Sequence, residues 1–511
     1  MRPASSRLAL GALALLTLLL AFAGADVMSL KGCDEGFYAQ IAREMLQRAD
    51  WVTPHYAGAV NFEKPPLLFW LVASAYALLG VGDLQARLPV LVAGILGVGL
   101  SAYAAWVLRR DGRNAVIAGG VVATTGLYIQ VWHQVMIDVP AFVTLVLLAL
   151  GLLGEQRDRR FGWLVGPSLG LLILAKGALA ALVMAACLPY LLWRRPRPTK
   201  PLVFGLFVGL VPALAWYGAM HQLHGVEFWR IHLWQQVFQR AQSGLFAKDP
   251  LGPAFYVVHM LGTFLPWSFL IPGALTVAWR RARAGDGPAV FSLGFFGVFL
   301  VVISLMQTKF EHYALPLLLP VALMVADWAT EPAHRTDRLT GGLYVFLSLL
   351  LAGAIAAIKV FHVPVEVPQL DGTLLAVSLL ATTLAWGGAL LVCRASRPSV
   401  TRTIFAGTAL SFVVAAQLLH PWDAMPGLRQ VAAAVPAEAA VHLVIPGGSG
   451  ADFCTYAAAR YRVGGALDVL VPDQVPAGPK GWYLGKAEFL TAVSGDRLVL
   501  EAGGWRILER R

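Results

Sequence analysis

The chain has 511 residues, 58% of them hydrophobic and only 14% charged, where an average soluble domain carries about 25% charged residues. Repeated apolar runs long enough to cross a bilayer make it a polytopic membrane protein. Its net charge of +11 comes from arginines clustered in short loops between those runs, the positive-inside signature, so nucleic acid is the weaker explanation of the basicity. Four cysteines, widely separated and without metal-ligand spacing, form no disulfide framework.

The first apolar run, about 18 residues from Leu8, is longer than the usual signal-peptide core. It reads as an uncleaved anchor over about residues 8–28, with Arg2 and Arg7 in the cytoplasm. Outside it lies the stretch from Asp34 to Trp70, DEGFYAQIAREMLQRADWVTPHYAGAVNFEKPPLLFW, polar and aromatic by turns. Phe37, Tyr38, Ile41, Met45 and Leu46 recur at helical spacing, opposite Gln40, Arg43, Glu44 and Gln47. The pattern predicts an amphipathic helix at the bilayer surface. Asp34 reads equally as the N-cap of that helix or as a functional acid. Glu63-Lys64 reads as a solvated ion pair or as part of a site, and Pro65-Pro66 sets the start of the next helix.

The run Leu67–Leu79, about 13 residues, is too short to cross and predicts an interfacial or re-entrant helix. A span over about 86–108 then travels inward and delivers Arg109, Arg110 and Arg113 to the cytoplasm. Spans near 114–130 and 139–154 follow, returning to Arg157, Arg159 and Arg160. Two short spans near 161–175 and 178–193 have Lys176-Gly177 as their outer turn. A span near 201–219 leads to an external segment, His221 to Gly252. Spans near 254–279, 289–306, 313–329, 339–361, 373–393 and 402–420 complete about thirteen crossings, an odd number that leaves the C-terminus outside. From about Trp422 the short β-like runs AVHLVIP, LDVLVP, GWYL and DRLVL alternate with Gly- and Pro-rich turns, which predicts a small soluble domain. GGSG at 447–450 lacks a following Lys and a strand–helix context, so it reads as a turn and not a phosphate loop.

This topology sorts the unusual polar residues by side. Asp34, Glu35, Glu63, Lys64, Asp138, Lys176, Arg230, Arg240, Lys309, Glu311, His312 and Tyr313 all fall outside or at outer turns. Ionisable groups beside the hydrocarbon are costly and functional by default. Capping accounts for Asp138 alone, and snorkelling for Lys176 or Lys309 alone, but not for the gathering of both signs at one face. Carboxylates with scattered cations at a membrane surface suit group transfer from a phosphate-linked lipid. The cations hold the phosphate, and a carboxylate acts as base or steadies an oxocarbenium-like centre.

The run DE-x-x-YA-x-IAREML…DW-x-x-PH…FEKPPL resembles the membrane glycosyltransferases of the GT-C superfamily, nearest the lipid A aminoarabinose transferases and their protein-mannosyltransferase-like relatives. Weaker echoes follow in ARLP at 86–89, LAKG at 174–177, FLPW at 264–267 and TKFEHYALP at 308–316. The resemblance implies an all-α polytopic GT-C fold over 1–421, with interfacial helices in a catalytic first periplasmic loop (29–85), and a small α/β periplasmic domain over 422–511. It implies a bacterial inner-membrane enzyme that transfers a sugar, with inversion, from a polyprenyl (undecaprenyl) phosphate donor to lipid A or another envelope glycolipid. A protein acceptor is the alternative within that class.

By the same resemblance Asp34 and Asp138 are the catalytic acids and Glu63 joins them. Lys64, Arg240, Lys309, Tyr313 and Lys176 bind the lipid phosphate. No cofactor is assigned, and a divalent metal is left open with Glu63 as its one named ligand. The chain departs from the pattern at Phe37, where the family carries a basic residue. It departs again at Gln235-Gln236-Val237-Phe238-Gln239-Arg240, which lacks the metal-binding His; His232 and His259 are the substitutes. The rival from another class, a transporter of lipid-linked substrates, expects ionisable groups near mid-span, whereas here they sit at outer ends. A scaffold protein would leave Asp34 and Glu63-Lys64 without a role. Cys33 and Cys454 read as two free thiols, with a bridge between them the lesser alternative.

Overall fold

The first apolar run forms α1 (Pro3–Phe22) and the signature stretch opens as α2 (Asp34–Arg48). The computed structural model describes residues 3–23, 30, 34–195, 198–243, 251–332, 336–360, 370–393, 397–418, 428–436, 439–445, 453–463, 467–470, 472–474, 480–487, 490, 496–502 and 505–510. In α2 the apolar positions Phe37, Tyr38, Ile41 and Met45 are buried as their spacing predicts, but so are Gln40 and Glu44. Glu44 accepts from Gln40 Nε2 at 2.7 Å and from the backbone N–H groups of Ala57 (2.8 Å) and Gly58 (3.0 Å). It thereby pins the hairpin β1 (His55–Tyr56)–β2 (Ala59–Val60) onto the helix. The polar face predicted to meet water is covered because its side chains satisfy backbone donors.

The short run forms α3 (Leu67–Leu79), about 20 Å long against the ~30 Å of a hydrocarbon core. After the turn at Gly80 come α4 (Asp83–Arg109), α5 (Gly112–Thr124), α6 (Gly126–Trp132) and α7 (Asp138–Gly154). The predicted straight span at 114–130 is instead bent by 62° between α5 and α6. Thr125 is extended there, and the Gly126 N–H donates to Leu265 O at 3.0 Å.

Next come α8 (Val165–Arg194) and α9 (Lys200–Trp229). Helical geometry is interrupted in α8 at Lys176 (φ −157°, ψ 71°). On a straight helix Val165 and Tyr190 would stand about 37 Å apart. Yet Val165 lies against Gly151 and the Tyr190 hydroxyl donates to Leu152 O at 3.3 Å, both near the end of α7. The chain therefore rises to Lys176 and returns, as two short legs. Gly166 and Gly170 on the rising leg meet Gly205 and Gly209 of α9, a small-residue contact that lets the two backbones touch. A Cβ on Gly166 would stand 1.8 Å from Gly205 O, and one on Gly209 2.0 Å from Pro167 N. α9 breaks at Gly225 (φ 58°) and continues as a π-helix, Arg230–Gln239, and then as α10 (Arg240–Ser243).

The second predicted span that is not straight, 254–279, becomes α11 (Phe255–Thr263) and α12 (Ile271–Arg283), turned by 114° at FLPW. Pro266 has no N–H to continue a helix. The two broken spans meet at their breaks: Leu265 O takes the Gly126 N–H, and Trp267 Nε1 donates to Thr124 Oγ1 at 3.1 Å. Irregular backbone at membrane depth is tolerated where protein buries it in this way. α13 (Gly287–Leu305) and α14 (Leu318–Thr330) follow, and every residue of α14 from Leu318 to Ala329 is buried, so this helix is the central post. α15 (Thr336–Val360), α16 (Leu370–Val392) and α17 (Arg397–Leu418) flank the bundle. Among the described residues six helices are long and apolar enough to cross a membrane, or eight if each bent pair is one span. The chain is a multi-pass membrane protein.

The arginines expected on one side do share an end. Arg109 reaches Asp286 (3.0 Å) and Asp327 (2.8 Å), and Arg281 pairs with Asp327 (3.0 Å) and Glu331 (2.9 Å). The C-terminal domain comprises α18 (Leu428–Ala433), α19 (Phe453–Val463) and a five-stranded sheet. The strands are β3 (Val441–Val444), β4 (Leu467–Leu470), β5 (Gly481–Lys486), β6 (Asp496–Ala502) and β7 (Trp505–Arg510), in the order β4-β3-β5-β7-β6. β3 runs parallel to β4 and β5, and the remaining pairs are antiparallel. The four predicted runs are strands, while β7 and both helices went unpredicted. Residues 447–450 lie outside the described residues, but β3 precedes them and α19 follows, so the strand–helix context denied to GGSG is present.

The glycine contact separates two substitutions on one helix. Gly209→Ala should cost about 1–3 kcal/mol by overpacking, whereas Gly218→Ala, with open space around it, should be neutral or stabilise by up to about 1 kcal/mol. Thermal melting of the detergent-solubilised variants reads the difference, and equal melting would contradict the close approach.

Candidate active site

At the turn of α8, opposite the arginine-rich end, a cavity of about 350 Å³ opens. Its polar end is lined by Glu63, Lys64, Asp138, Lys176, His312 and Tyr313, and its wall by Leu179, Leu182, Phe238, Phe299, Val302 and Ile303. A charged end with an apolar wall suits an amphiphile carrying a charged head.

Each polar group arrives by a different route. Asp138 is the first residue of α7 and 5% exposed; Lys176 Nζ donates to its Oδ1 at 2.8 Å. The same ammonium lies 4.7 Å from the Tyr313 ring centroid, a cation–π contact. Lys176 can aim inward because the chain reverses there. Gly177 follows because a Cβ would stand 2.6 Å from the Tyr217 hydroxyl oxygen. Glu63-Lys64 sits in a loop braced from both sides. The Glu63 N–H donates to Asn61 Oδ1 at 3.1 Å, a short Asx turn, and Pro66 caps α3, as the Pro65-Pro66 pair predicted. The π-helix locks the other side. His232 Nδ1 is 2.7 Å from Phe62 O, which only accepts, so the imidazole N–H donates there. That leaves Nε2 to accept from the Tyr217 hydroxyl at 3.0 Å.

The remaining predicted residues distribute unevenly. Asp34 is the first helical residue of α2, half-buried and outside the cavity lining, yet its charge acts on His312 together with those of Asp138, Lys176 and Lys64. Its neighbour Glu35 is structural. It is 2% exposed, pairs with Arg87 at 3.1 and 3.2 Å, and accepts the Val135 N–H at 2.9 Å. Lys309, expected at the phosphate, is also absent from the cavity lining. It is 5% exposed, and its ammonium donates to Ser304 O (2.8 Å) and Met306 O (2.6 Å) at the end of α13. The open carbonyls of that helix end attract the nearest cation. Arg240 begins α10, and its side chain lies outside the described residues, as does Cys33.

Among the polar cavity residues, Thr308 and Gln236 were not predicted, His232 was named only as a substitute metal ligand, and His312 was placed at the outer face without a role. The signal for His312 was its place in TKFEHYALP, three residues beyond Lys309. Of the substitute metal ligands, His232 has both ring nitrogens engaged, and His259, whose Nδ1 pairs with Glu311 at 3.0 Å, is absent from the cavity lining. Among the described residues no three His, Cys, Asp or Glu side chains are grouped to hold a metal. The residues present around Glu63 therefore do not fit a metal ion.

Residues 63–217 match the family described as dolichyl-phosphate-mannose-protein mannosyltransferase. An undecaprenyl phosphate-alpha-4-amino-4-deoxy-L-arabinose arabinosyl transferase from Pseudomonas paraeruginosa is 33% identical over 341 residues, covering 64% of this chain and 61% of that one. The enzyme of the same name from Edwardsiella ictaluri is 31% identical over 346 residues, covering 65% and 61%. The chain thus spans about three fifths of the length of the curated relatives it matches. The crystal structure of ArnT from Cupriavidus metallidurans bound to undecaprenyl phosphate superposes with a TM-score of 0.78 at 22% identity, over 98% of this chain and 97% of that one. At that identity the likeness shows the fold. The resemblance to ArnT-like membrane glycosyltransferases of the GT-C superfamily is borne out in sequence and in fold.

The Asp138–Lys176 pair has an asymmetry that can be measured. Lys176→Met leaves a buried carboxylate uncompensated and should cost about 3–5 kcal/mol. Asp138→Asn leaves an ammonium that lines the cavity and should cost less. Melting of the two variants in detergent checks this, and equal losses would contradict the geometry.

Proposed function

We propose that this ArnT-like chain is an inverting glycosyltransferase that moves a sugar from a polyprenyl phosphate, such as undecaprenyl phosphate, to a lipid acceptor such as lipid A. The observation that carries the reading is the cavity itself. Two lysines and two carboxylates converge at one end, and an apolar wall large enough for the start of a prenyl chain lines the other. In this reading the cavity end and the C-terminal domain face the periplasm and the arginine-rich end faces the cytoplasm, a reading supported by the clustering of arginines at that opposite end.

In this reading Lys64 and Lys176 hold the donor phosphate and stabilise the charge that grows as it leaves. Tyr313 packs on Lys176. Asp138 is a positioning residue, because its carboxylate is committed to the Lys176 ammonium. The bond from the anomeric carbon to the phosphate oxygen breaks, and its electron pair departs with the prenyl phosphate. The acceptor oxygen forms the new bond from the opposite face. Asp34 or Glu63 takes a proton from an acceptor hydroxyl, and an acceptor already ionised needs none. His312 lies where Asp34, Asp138, Lys64 and Lys176 are all felt, and in this reading it relays that proton outward. Arg240 joins the phosphate contacts in the family's pattern, while Lys309 supports the floor from the end of α13.

Asp34→Asn should abolish sugar transfer in reconstituted protein while leaving expression and donor binding intact, and unchanged transfer would remove the catalytic assignment. Lys64→Ala should weaken binding of undecaprenyl phosphate about 10–100-fold, the worth of a lost charge-assisted contact, read by titration of the lipid in detergent.

A further inference from the structure

A second cavity, of about 510 Å³, lies away from the active site. Arg43 of α2, the Val81–Gln85 turn between α3 and α4, and Tyr461 and Arg462 of α19 line it. It is the seam where the C-terminal domain docks on the first loop. Arg43 Nη1 donates to Tyr461 O at 2.9 Å, the Tyr76 and Tyr461 hydroxyls meet at 3.1 Å, and Arg462 pairs with Asp83.

Two guanidinium groups face one carboxylate, which leaves the cavity net positive. Arg43 Nε is buried and has no hydrogen-bond partner among the described residues, so one donor of the fork is unused. A phosphate in the cavity would meet the Arg43 and Arg462 side chains that line it, groups suited to charge-assisted bonds with phosphate oxygens. The rim names the kind of anion. Leu78 and Leu79 leave the end of α3 exposed, Leu78 by 81%, and the exposed Val81 just after it lines the cavity together with Leu84 and the two arginines. A basic cavity with an apolar lip is the arrangement that takes a lipid headgroup, acyl chains against the lip and phosphate on the guanidinium forks.

We propose that this seam binds the phosphate of a lipid headgroup, and that in the glycosyltransferase reading this lipid is the acceptor. Arg43 stands about 13 Å along α2 from Asp34 by the helical rise, so one saccharide headgroup anchored at the seam reaches toward the acid end of the helix. The inference rests on that reading only for the lipid's role, because the binding is measured without any transfer.

The test uses the full chain in phosphatidylcholine nanodiscs, titrated with bisphosphorylated lipid A, with enzymatically dephosphorylated lipid A, and with inorganic phosphate as competitor. Wild type should prefer the phosphorylated lipid at least about tenfold, one charge-assisted contact's worth. Arg43→Gln and Arg462→Gln should each erase the preference, and Arg43→Lys should retain part of it. Should the glutamine variants melt early, the wild-type preference and Arg43→Lys still decide. Equal binding of the two lipids, or a preference that survives in well-folded glutamine variants, overturns the proposal. Inorganic phosphate competing as tightly as the lipid also overturns it, since the apolar lip would then contribute nothing. In a parallel transfer assay the glutamine variants should raise KM for lipid A. A wild type that binds the phosphorylated lipid selectively but transfers no sugar would sink the enzymatic reading and leave the seam standing.

Discussion

One interaction holds the active-site end together: the ammonium of Lys176 against the carboxylate of Asp138, 2.8 Å apart and nearly dry. Two charges taken out of water repay their desolvation only when geometry and further contacts are good. Here the Tyr313 ring supplies a further contact, and the cavity keeps one flank of Lys176 accessible. The pair joins the start of α7 to the turn of α8, so it fixes where the chain reverses. Without that reversal α8 would be a single long helix, and its lysine would lie on a side wall. The reversal also sets Gly177 against Tyr217, whose hydroxyl orders His232, whose ring N–H reaches Phe62 O. The Glu63-Lys64 loop follows directly. Four cavity groups from three separate parts of the sequence are thus positioned by one connected set of polar contacts.

The bilayer explains why the irregular backbone is placed as it is. A break inside a span frees N–H and C=O groups that lipid cannot satisfy. The chain breaks α5 from α6 and α11 from α12, and it sets the breaks side by side, so that Leu265 O accepts the Gly126 N–H and Trp267 Nε1 donates to Thr124 Oγ1. Neither break is affordable alone.

That reciprocity is also why the sequence did not disclose them. Hydropathy over 114–130 or 254–279 shows only an apolar run, and partners that lie far apart in the chain decide whether it bends. By contrast the short helix was legible, because its apolar run is bounded in the sequence itself: Leu67–Leu79 lies between Pro66 and Gly80. The arginine clusters were legible because charge sorts by side whatever the packing. For Lys309 the sequence gives the place and not the partners. Its position in TKFEHYALP was right, but a cation beside a helix end is drawn to that end's carbonyls, and no motif reports which carbonyls are open. The amphipathic pattern of α2 likewise marked the buried face correctly and could not tell that a hairpin and α19 would cover the other.

The covering of α2 bears on how the two domains work as one. Asp34 begins the helix, Glu35 ties it to Arg87 of α4, Glu44 ties it to the hairpin, and Arg43 ties it to α19. A helix held along its length by three partners moves as a rigid rod, because shifting any one contact strains the others. Asp34 is therefore positioned partly by the C-terminal domain, although that domain contributes no residue to the cavity lining. Anything bound at the seam between α2 and α19 presses on the far end of the rod whose near end carries the acid. Since a ligand shifts a conformation only by its differential affinity for the two arrangements, such coupling requires the seam to differ when empty and when filled, and the unmet Arg43 Nε is the group through which it would.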